Sequence, residues 1–328
     1  MNSFNFIFFL IIAGVFQVLM GANDGGVLLG SIISTNVVSP ILGIIILFVT
    51  LTVSPFIFGT AVVETLGTKI LPPQYMTLPM LYGAIISTIV WVMIAQRIKY
   101  PVSISYTFVG ALIGSALSNS LHRQLNSTEI AKVFGGLIAS IVIGFEVSFL
   151  LAKVLRFFLR YASAKAGKVF RIVQVISSVL LVLGYGSNDA EKTLSLVYTA
   201  MLITNTKFMV SPKNLLVILM LSFLFIIGTL FFGANSLLTA GFRLMKSSPR
   251  ESFLAQTVSS LTVLGFARHG FPVSSTETLN MSVVGIGVAE KPYGVKYNVV
   301  RNLVLTWIVT VPVSILLSFG ITFIFSKI

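Results

Sequence analysis

Two aspartates occur in the chain, Asp24 and Asp189, and each follows an asparagine in a matching word: Gly21-Ala22-Asn23-Asp24-Gly25 and Gly186-Ser187-Asn188-Asp189-Ala190. Both words lie inside apolar runs. An ionisable group at membrane depth costs at least a few kcal/mol, so a duplicated pair marks a substrate or ion site. Asparagine and aspartate offer oxygen ligands, which suit a hard cation such as Na+.

Two further words repeat in the same order. Phe58-Gly59, Thr65 and Gly67 return as Phe232-Gly233, Thr239 and Gly241, and Pro101-Val102-Ser103-Ile104-Ser105 returns as Pro272-Val273-Ser274-Ser275-Thr276. From Gly21 to Pro101 is 80 residues, and from Gly186 to Pro272 is 86. Proline suits the first turn of a helix, and the hydroxyls just after it fall where unpaired backbone N–H groups point. Such an end attracts anions. Two of them, one from each half, could close on one tetrahedral oxyanion. Gly21, Gly25, Gly26, Gly184 and Gly186 interrupt apolar segments at the polar words, as helices broken at depth would require.

The elements that must hold these words are set by composition. The chain has 328 residues, 56% hydrophobic and 9% charged, with a mean hydropathy of +1.00. Soluble domains carry about 25% charged residues, so an integral membrane protein is expected. The apolar runs lack period-two alternation, which excludes an outer-membrane barrel and leaves helices to satisfy the backbone in hydrocarbon. Candidate spans are 4–22, 38–60, 78–96, 101–119, 130–153, 170–204 with a break, 214–238, 252–266, 272–289 and 299–325. The first run has no basic residues before it and no small-residue cleavage site after it, so it reads as a retained helix. There are no cysteines, hence no disulfide or thiolate chemistry.

The net charge of +13 is a topology signal rather than a nucleic-acid footprint. With the N-terminus outside, fourteen cations fall inside: Arg97, Lys99, Lys153, Arg156, Arg160, Lys165, Lys168, Arg171, Arg243, Lys246, Arg250, Lys291, Lys296 and Arg301. Seven fall outside, and positive loops stay cytoplasmic. The expected fold is an all-α polytopic membrane protein of two inverted-topology repeats, 1–160 and 161–328. Each holds about five crossings, with broken or half helices at the midplane. The polar stretch from Arg156 to Arg171 is the hinge between them.

At these words the chain resembles the inorganic phosphate transporter family, the Na+- or H+-coupled permeases. The family's Gly-Ala/Ser-Asn-Asp signature stands at 21–24 and 186–189, and its proline-hydroxyl words at 101–106 and 272–277. Four positions depart from it: Ile104 replaces a hydroxyl residue, Tyr106 and Glu277 replace histidines, and Glu191 stands where glutamine is frequent. The resemblance implies Na+ ligands from Asn23, Asp24, Asn188 and Asp189. It implies an oxyanion cradle from Ser103, Ser105, Ser274, Ser275 and Thr276, with Thr193 as an addition. Lys192 could balance Asp189 or Glu191, or face substrate. Glu191 and Glu277 could couple protons or pair with Lys192 and Arg268. The expected activity is symport of inorganic phosphate with Na+ across the cell membrane, without a cofactor. Sulfate is the alternative anion and H+ the alternative driving ion. A homodimer is implied only by the resemblance.

Other features read as structural. Glu64 and Glu146 fall near expected helix ends, and His122 and His269 in outer loops. Asn126-Ser127-Thr128 matches a glycosylation sequon, and the Gly110-to-Gly114 spacing suits close helix packing. No HExxH, nucleophile elbow or phosphate-cradling GxxxxGK[ST] word occurs, and two lone histidines leave little for an enzyme to use.

Overall fold

The computed structural model describes residues 3–98, 102–158, 165–204, 211, 213–238 and 248–327. Those residues form helices, turns and loops without a strand. In order, α1 (Ser3–Met20) runs through a π-helical turn (Gly21–Gly25) into α2 (Gly26–Ile33). Then come α3 (Pro40–Phe58), α4 (Ala61–Glu64), a second π turn (Thr65–Lys69), α5 (Leu78–Arg97), α6 (Ile104–Ser118) and α7 (Ser127–Phe158). The second half repeats this order as α8 (Lys165–Gly186), α9 (Glu191–Thr204), α10 (Leu215–Phe232), α11 (Ala234–Leu238), α12 (Pro249–Arg268), α13 (Ser275–Glu290) and α14 (Tyr297–Phe325). Thr239, Gly241, Pro101, Lys99, Arg160, Lys207, Arg243 and Lys246 lie outside the described residues.

Local sequence sets several ends. Ser39 accepts from the Leu42 N–H ahead of Pro40 at the start of α3, and Asn214 accepts from Leu216 and Val217 at the start of α10. Ser248 and Glu251 form a reciprocal capping box on α12. Glu251 also pairs with Lys291 at 3.1 Å and Arg250 with Glu290 at 2.5 Å, tying the start of α12 to the end of α13. Asn126 accepts from the Glu129 N–H and so caps α7, a structural use for the residue that heads the sequon.

Among the described residues, seven stretches are long and apolar enough to cross a membrane: Phe6–Ile33, Pro40–Phe58, Leu78–Arg97, Ser127–Phe158, Gly167–Thr204, Leu215–Phe232 and Val300–Phe325. Three of the ten expected spans differ. Those at 101–119 and 272–289 are the shorter α6 and α13, of 15 and 16 residues, whose N-caps Ser103 and Ser274 are buried inside the protein. The span at 252–266 is α12, which is long enough but carries buried Gln256, Ser259 and Ser260. These helices spend their polarity on the interior.

The outside is oily, and the interior combines an apolar core with many buried polar side chains. Ile45, Val49 and Val53 on α3, or Ile308 and Leu316 on α14, are exposed, whereas the interior holds buried Ser, Thr, Asn, Asp and Glu. Lipid rather than water fits that surface. Glu146 is the exception. It lies mid-way along the 32-residue α7, not near its end, and is exposed beside exposed Val142, Val147 and Leu150.

Packing between halves is reciprocal. The pairs α6 with α14 and α7 with α13, α1 with α10 and α3 with α8, and α2 with α11 and α4 with α9 all pack together. Glycine lets backbones approach: a Cβ on Gly21 would overlap the Phe225 carbonyl, one on Gly228 the Val18 carbonyl, and one on Gly114 the Ile315 carbonyl.

Candidate substrate and ion site

The first Asn-Asp word does not break its helix. Gly21–Gly25 form a π turn with right-handed helical backbone at both flanks, so Gly21, Gly25 and Gly26 serve close packing on α10 and α11 instead of interruption. The wider turn places Asp24 inward, 2% exposed. Its Oδ1 accepts from Asn23 Nδ2 at 2.8 Å and its Oδ2 from the Tyr185 hydroxyl at 3.1 Å. Asn23 Nδ2 also reaches the Val102 carbonyl at 3.4 Å, in the proline word of its own half.

The second word does break the chain. Helix α8 ends at Gly186, residues 187–190 turn, and α9 begins at Glu191. Gly184 and Gly186 are still helical, and Gly186 is small because Ser54 of α3 lies against it. Asn188 fixes the turn to the second proline word, donating to the Phe271 carbonyl and accepting from the Val273 N–H, both at 3.1 Å. Asp189 Oδ2 accepts from the Ser275 N–H at 3.1 Å and Oδ1 from the Ser105 hydroxyl at 3.2 Å. Lys192, fully buried, makes an ion pair with Asp189 and donates to Ser105 Oγ at 2.7 Å.

Between the two words, α6 and α13 meet by their N-termini. Ser103 and Ser274 are the N-caps, yet neither side chain caps its own helix. Ser103 Oγ instead donates to Ser274 Oγ at 3.3 Å. Ser275 Oγ is buried without a partner, and Thr276 is buried beside it in sequence. Glu277 is 3% exposed, and its Oε2 has no partner. At the equivalent place in the first word, Tyr106 stacks on Trp307 with centroids 6.3 Å apart. The carboxyls of Asp24, Asp189 and Glu277 are close enough to act on one another electrostatically, with Lys192 as the amine acting on Asp24 and paired to Asp189. The buried cluster therefore holds three carboxyls and one amine.

Not every expected residue joins this cluster. Thr193 donates to Gln17 Oε1 of α1 at 2.5 Å, away from the serines. Glu191 does not pair with Lys192: its Oε2 accepts from the Val63 N–H of α4 at 3.1 Å. Glu277 does not pair with Arg268, which is exposed at the end of α12. Tyr185, Gln17 and Trp307 were not singled out from the sequence. Tyr185 alone had a signal, its place just before the second word.

Residues 20–318 match the phosphate transporter family. The chain belongs to that family. The transporter is 28% identical over 310 residues to a probable low-affinity inorganic phosphate transporter of Rhizobium meliloti (strain 1021), covering 94% of this chain and 92% of the relative. It is 26% identical over 311 residues to a protein of the same description in Bacillus subtilis (strain 168), covering 94% and 93%. Among solved structures, the sodium-dependent phosphate transporter shares its fold, with a TM-score of 0.82 at 19% identity over 98% of this chain and 99% of the other. Membership makes the protein a multi-pass membrane transporter rather than an enzyme. The Asn-Asp words at 23–24 and 188–189 and the proline-hydroxyl words lie within the matched region.

Proposed function

We propose that this transporter is a secondary active symporter that carries inorganic phosphate with Na+. The observation that carries the reading is the head-to-head meeting of Ser103 and Ser274, flanked by both Asn-Asp words in a cluster richer in carboxyls than in amines. In this reading Asn23, Asp24, Asn188 and Asp189 bind Na+. Ser103, Ser105, Ser274, Ser275 and Thr276 bind phosphate, while the bond from Thr193 to Gln17 favours a supporting role on α1 for that residue.

The hydrogen bonds suggest how cation and anion binding are linked. Asp189 takes up the Ser275 N–H, the Ser105 hydroxyl and the Lys192 amine, all donors that an oxyanion would use. Na+ at the second Asn-Asp word would draw the carboxylate to itself, release those donors and lower the local negative charge, so each ligand raises affinity for the other. Phosphate near neutral pH carries a hydroxyl that needs an acceptor, whereas sulfate only accepts. Asp24 and the unpartnered Glu277 Oε2 supply acceptors, which favours phosphate over sulfate.

Alternating access would come from rocking of two inverted repeats, 1–160 and 161–328, with the N-terminus outside the cell membrane. The matching order of α-helices in both halves and their reciprocal packing support that division. Exposed Glu146 among apolar neighbours supports a homodimer, since a carboxylate facing lipid is costly and a second copy would cover it. The test is uptake of labelled phosphate into proteoliposomes with and without an inward Na+ gradient, with sulfate as competitor. Uptake driven by a proton gradient alone, or equal competition by sulfate, would replace the Na+-phosphate reading with its H+ or sulfate alternative.

A further inference from the structure

A second cluster of oxygens lies outside the Asn-Asp words. Between α3, α9 and α10 is a cavity of about 20 Å³ whose lining includes Gln17, Leu51, Pro55, Glu191 and Ser222. That is room for one water-sized occupant. Glu191 is 1% exposed; one carboxylate oxygen is held by the Val63 N–H, and Oε1 is buried with no hydrogen-bond partner. No lysine or arginine makes an ion pair with it among the described residues, because Lys192, its neighbour in sequence, is committed to Asp189.

The rest of the lining mixes oxygen acceptors with the aliphatic side chains of Ala190, Leu194, Ile218 and Leu221. Gln17 Oε1 takes the Thr193 hydroxyl and keeps a lone pair. Pro55, inside α3, has no N–H, so the Leu51 carbonyl four residues earlier loses its helical donor. Ser222 adds a hydroxyl. A carboxylate, an amide oxygen, an open carbonyl and a hydroxyl around a volume of one small ion make a site for a hard cation. A single carboxylate suits a monovalent one.

We propose that this cavity binds Na+, with Glu191 Oε1 as the charged ligand and the Leu51 carbonyl and Gln17 Oε1 as neutral ones. The proposal extends the Na+-coupled reading to a site in which neither Asn-Asp pair supplies a ligand. Placed between α9, which starts at the second word, and α3 and α10, the ion would hold the broken segment to the helices around it.

Equilibrium binding of ²²Na+ to purified protein in phosphate-free buffer tests it on wild type, Glu191→Gln and Pro55→Ala. Glu191→Gln keeps the side chain's shape and removes its charge. Pro55→Ala leaves Glu191 intact and returns an N–H to the Leu51 carbonyl, in a helix that alanine favours. Glu191→Gln should bind one Na+ fewer per chain, and Pro55→Ala should bind at that site at least tenfold more weakly. Wild-type stoichiometry and affinity in both variants would overturn the proposal and leave the cavity to a water or a proton. The outcome is separable from the coupling reading. Glu191-dependent ²²Na+ binding alongside phosphate uptake indifferent to a Na+ gradient would keep this site and sink symport, and the converse result would do the reverse.

Discussion

Ser103 and Ser274 hold the same position in the two proline words, and their hydroxyls meet at 3.3 Å. Each is the first residue before a helix, and each has turned from its own helix to the other's cap. Any two-fold axis relating the words passes between these two oxygens. A ligand bound on that axis has to replace a serine-serine hydrogen bond with one bond to each serine, which ties its binding to the relative position of the halves.

Ser275 gives the sharpest test of the phosphate cradle. Its hydroxyl is buried and unpartnered, so Ser275→Ala removes no hydrogen bond within the protein. Thermal stability should stay within about 0.5 kcal/mol of wild type. The apparent affinity for phosphate should fall about tenfold, the loss of one hydrogen bond of about 1.4 kcal/mol to a charged ligand. Unchanged phosphate affinity would remove Ser275 from the site.

Asp24→Asn and Asp189→Asn should each lower Na+-driven uptake at least tenfold, about 1.4 kcal/mol or more at the transition state. They should differ in stability. Asp189→Asn leaves Lys192 buried without its counter-ion, at a cost of about 3–5 kcal/mol, whereas Asp24 has only Asn23 and Tyr185 as hydrogen-bond partners. Lys192→Met added to Asp189→Asn should recover much of the lost thermal stability without recovering transport. Wild-type Na+ dependence in both single variants would end the cation assignment.

Close packing of α1 and the π turn on α10 makes a prediction about stability. Gly228→Ala would press a methyl group into the Val18 carbonyl, and Gly21→Ala would press one into that of Phe225. Each should destabilise the protein by about 1–3 kcal/mol, seen as a lower melting temperature in detergent. Gly167→Ala, where nothing lies within 4 Å, is the control and should be neutral or slightly stabilising.

Membrane sidedness can be read with single cysteines in a chain that has none of its own. Ser163, in the basic hinge, lies outside the described residues, so exposed Arg123 and Gly167 are the better pair. They flank α7, whose 32 residues span about 48 Å at 1.5 Å per residue. An impermeant thiol reagent should label Arg123→Cys from outside the cell and Gly167→Cys only from within. Labelling of both from one side would contradict a single crossing between them.

The class of fold was legible because lipid imposes it: long apolar runs can only be helices. The meeting of the repeated words in one buried cluster was legible through duplication, since two Asn-Asp pairs in apolar surroundings have few structural uses. What failed depended on partners far away in the chain. Glycine at 21 and 25 looked like a helix break, yet its reason is the backbone of Phe225 and the side chain of Thr229, some 200 residues on. Glu191 and Lys192 looked like a pair because they are adjacent, but adjacent helical residues point apart, and each found a partner on another element. The depth of Glu146 was misjudged because α7 runs longer than a minimal span.

The crossed packing of the halves bears on how the protein is made. As the ribosome delivers the chain, α6 and α7 enter the bilayer well before α13 and α14, the helices against which they finally lie. Their small and polar faces, Gly110 and Gly114 on α6 and Gly144 on α7, must wait in the membrane for partners still to be synthesised. Helices translated later therefore complete a structure the first half cannot finish alone. The nascent chain is most exposed to quality control at the stage when the words of its first half are already inserted but not yet opposed.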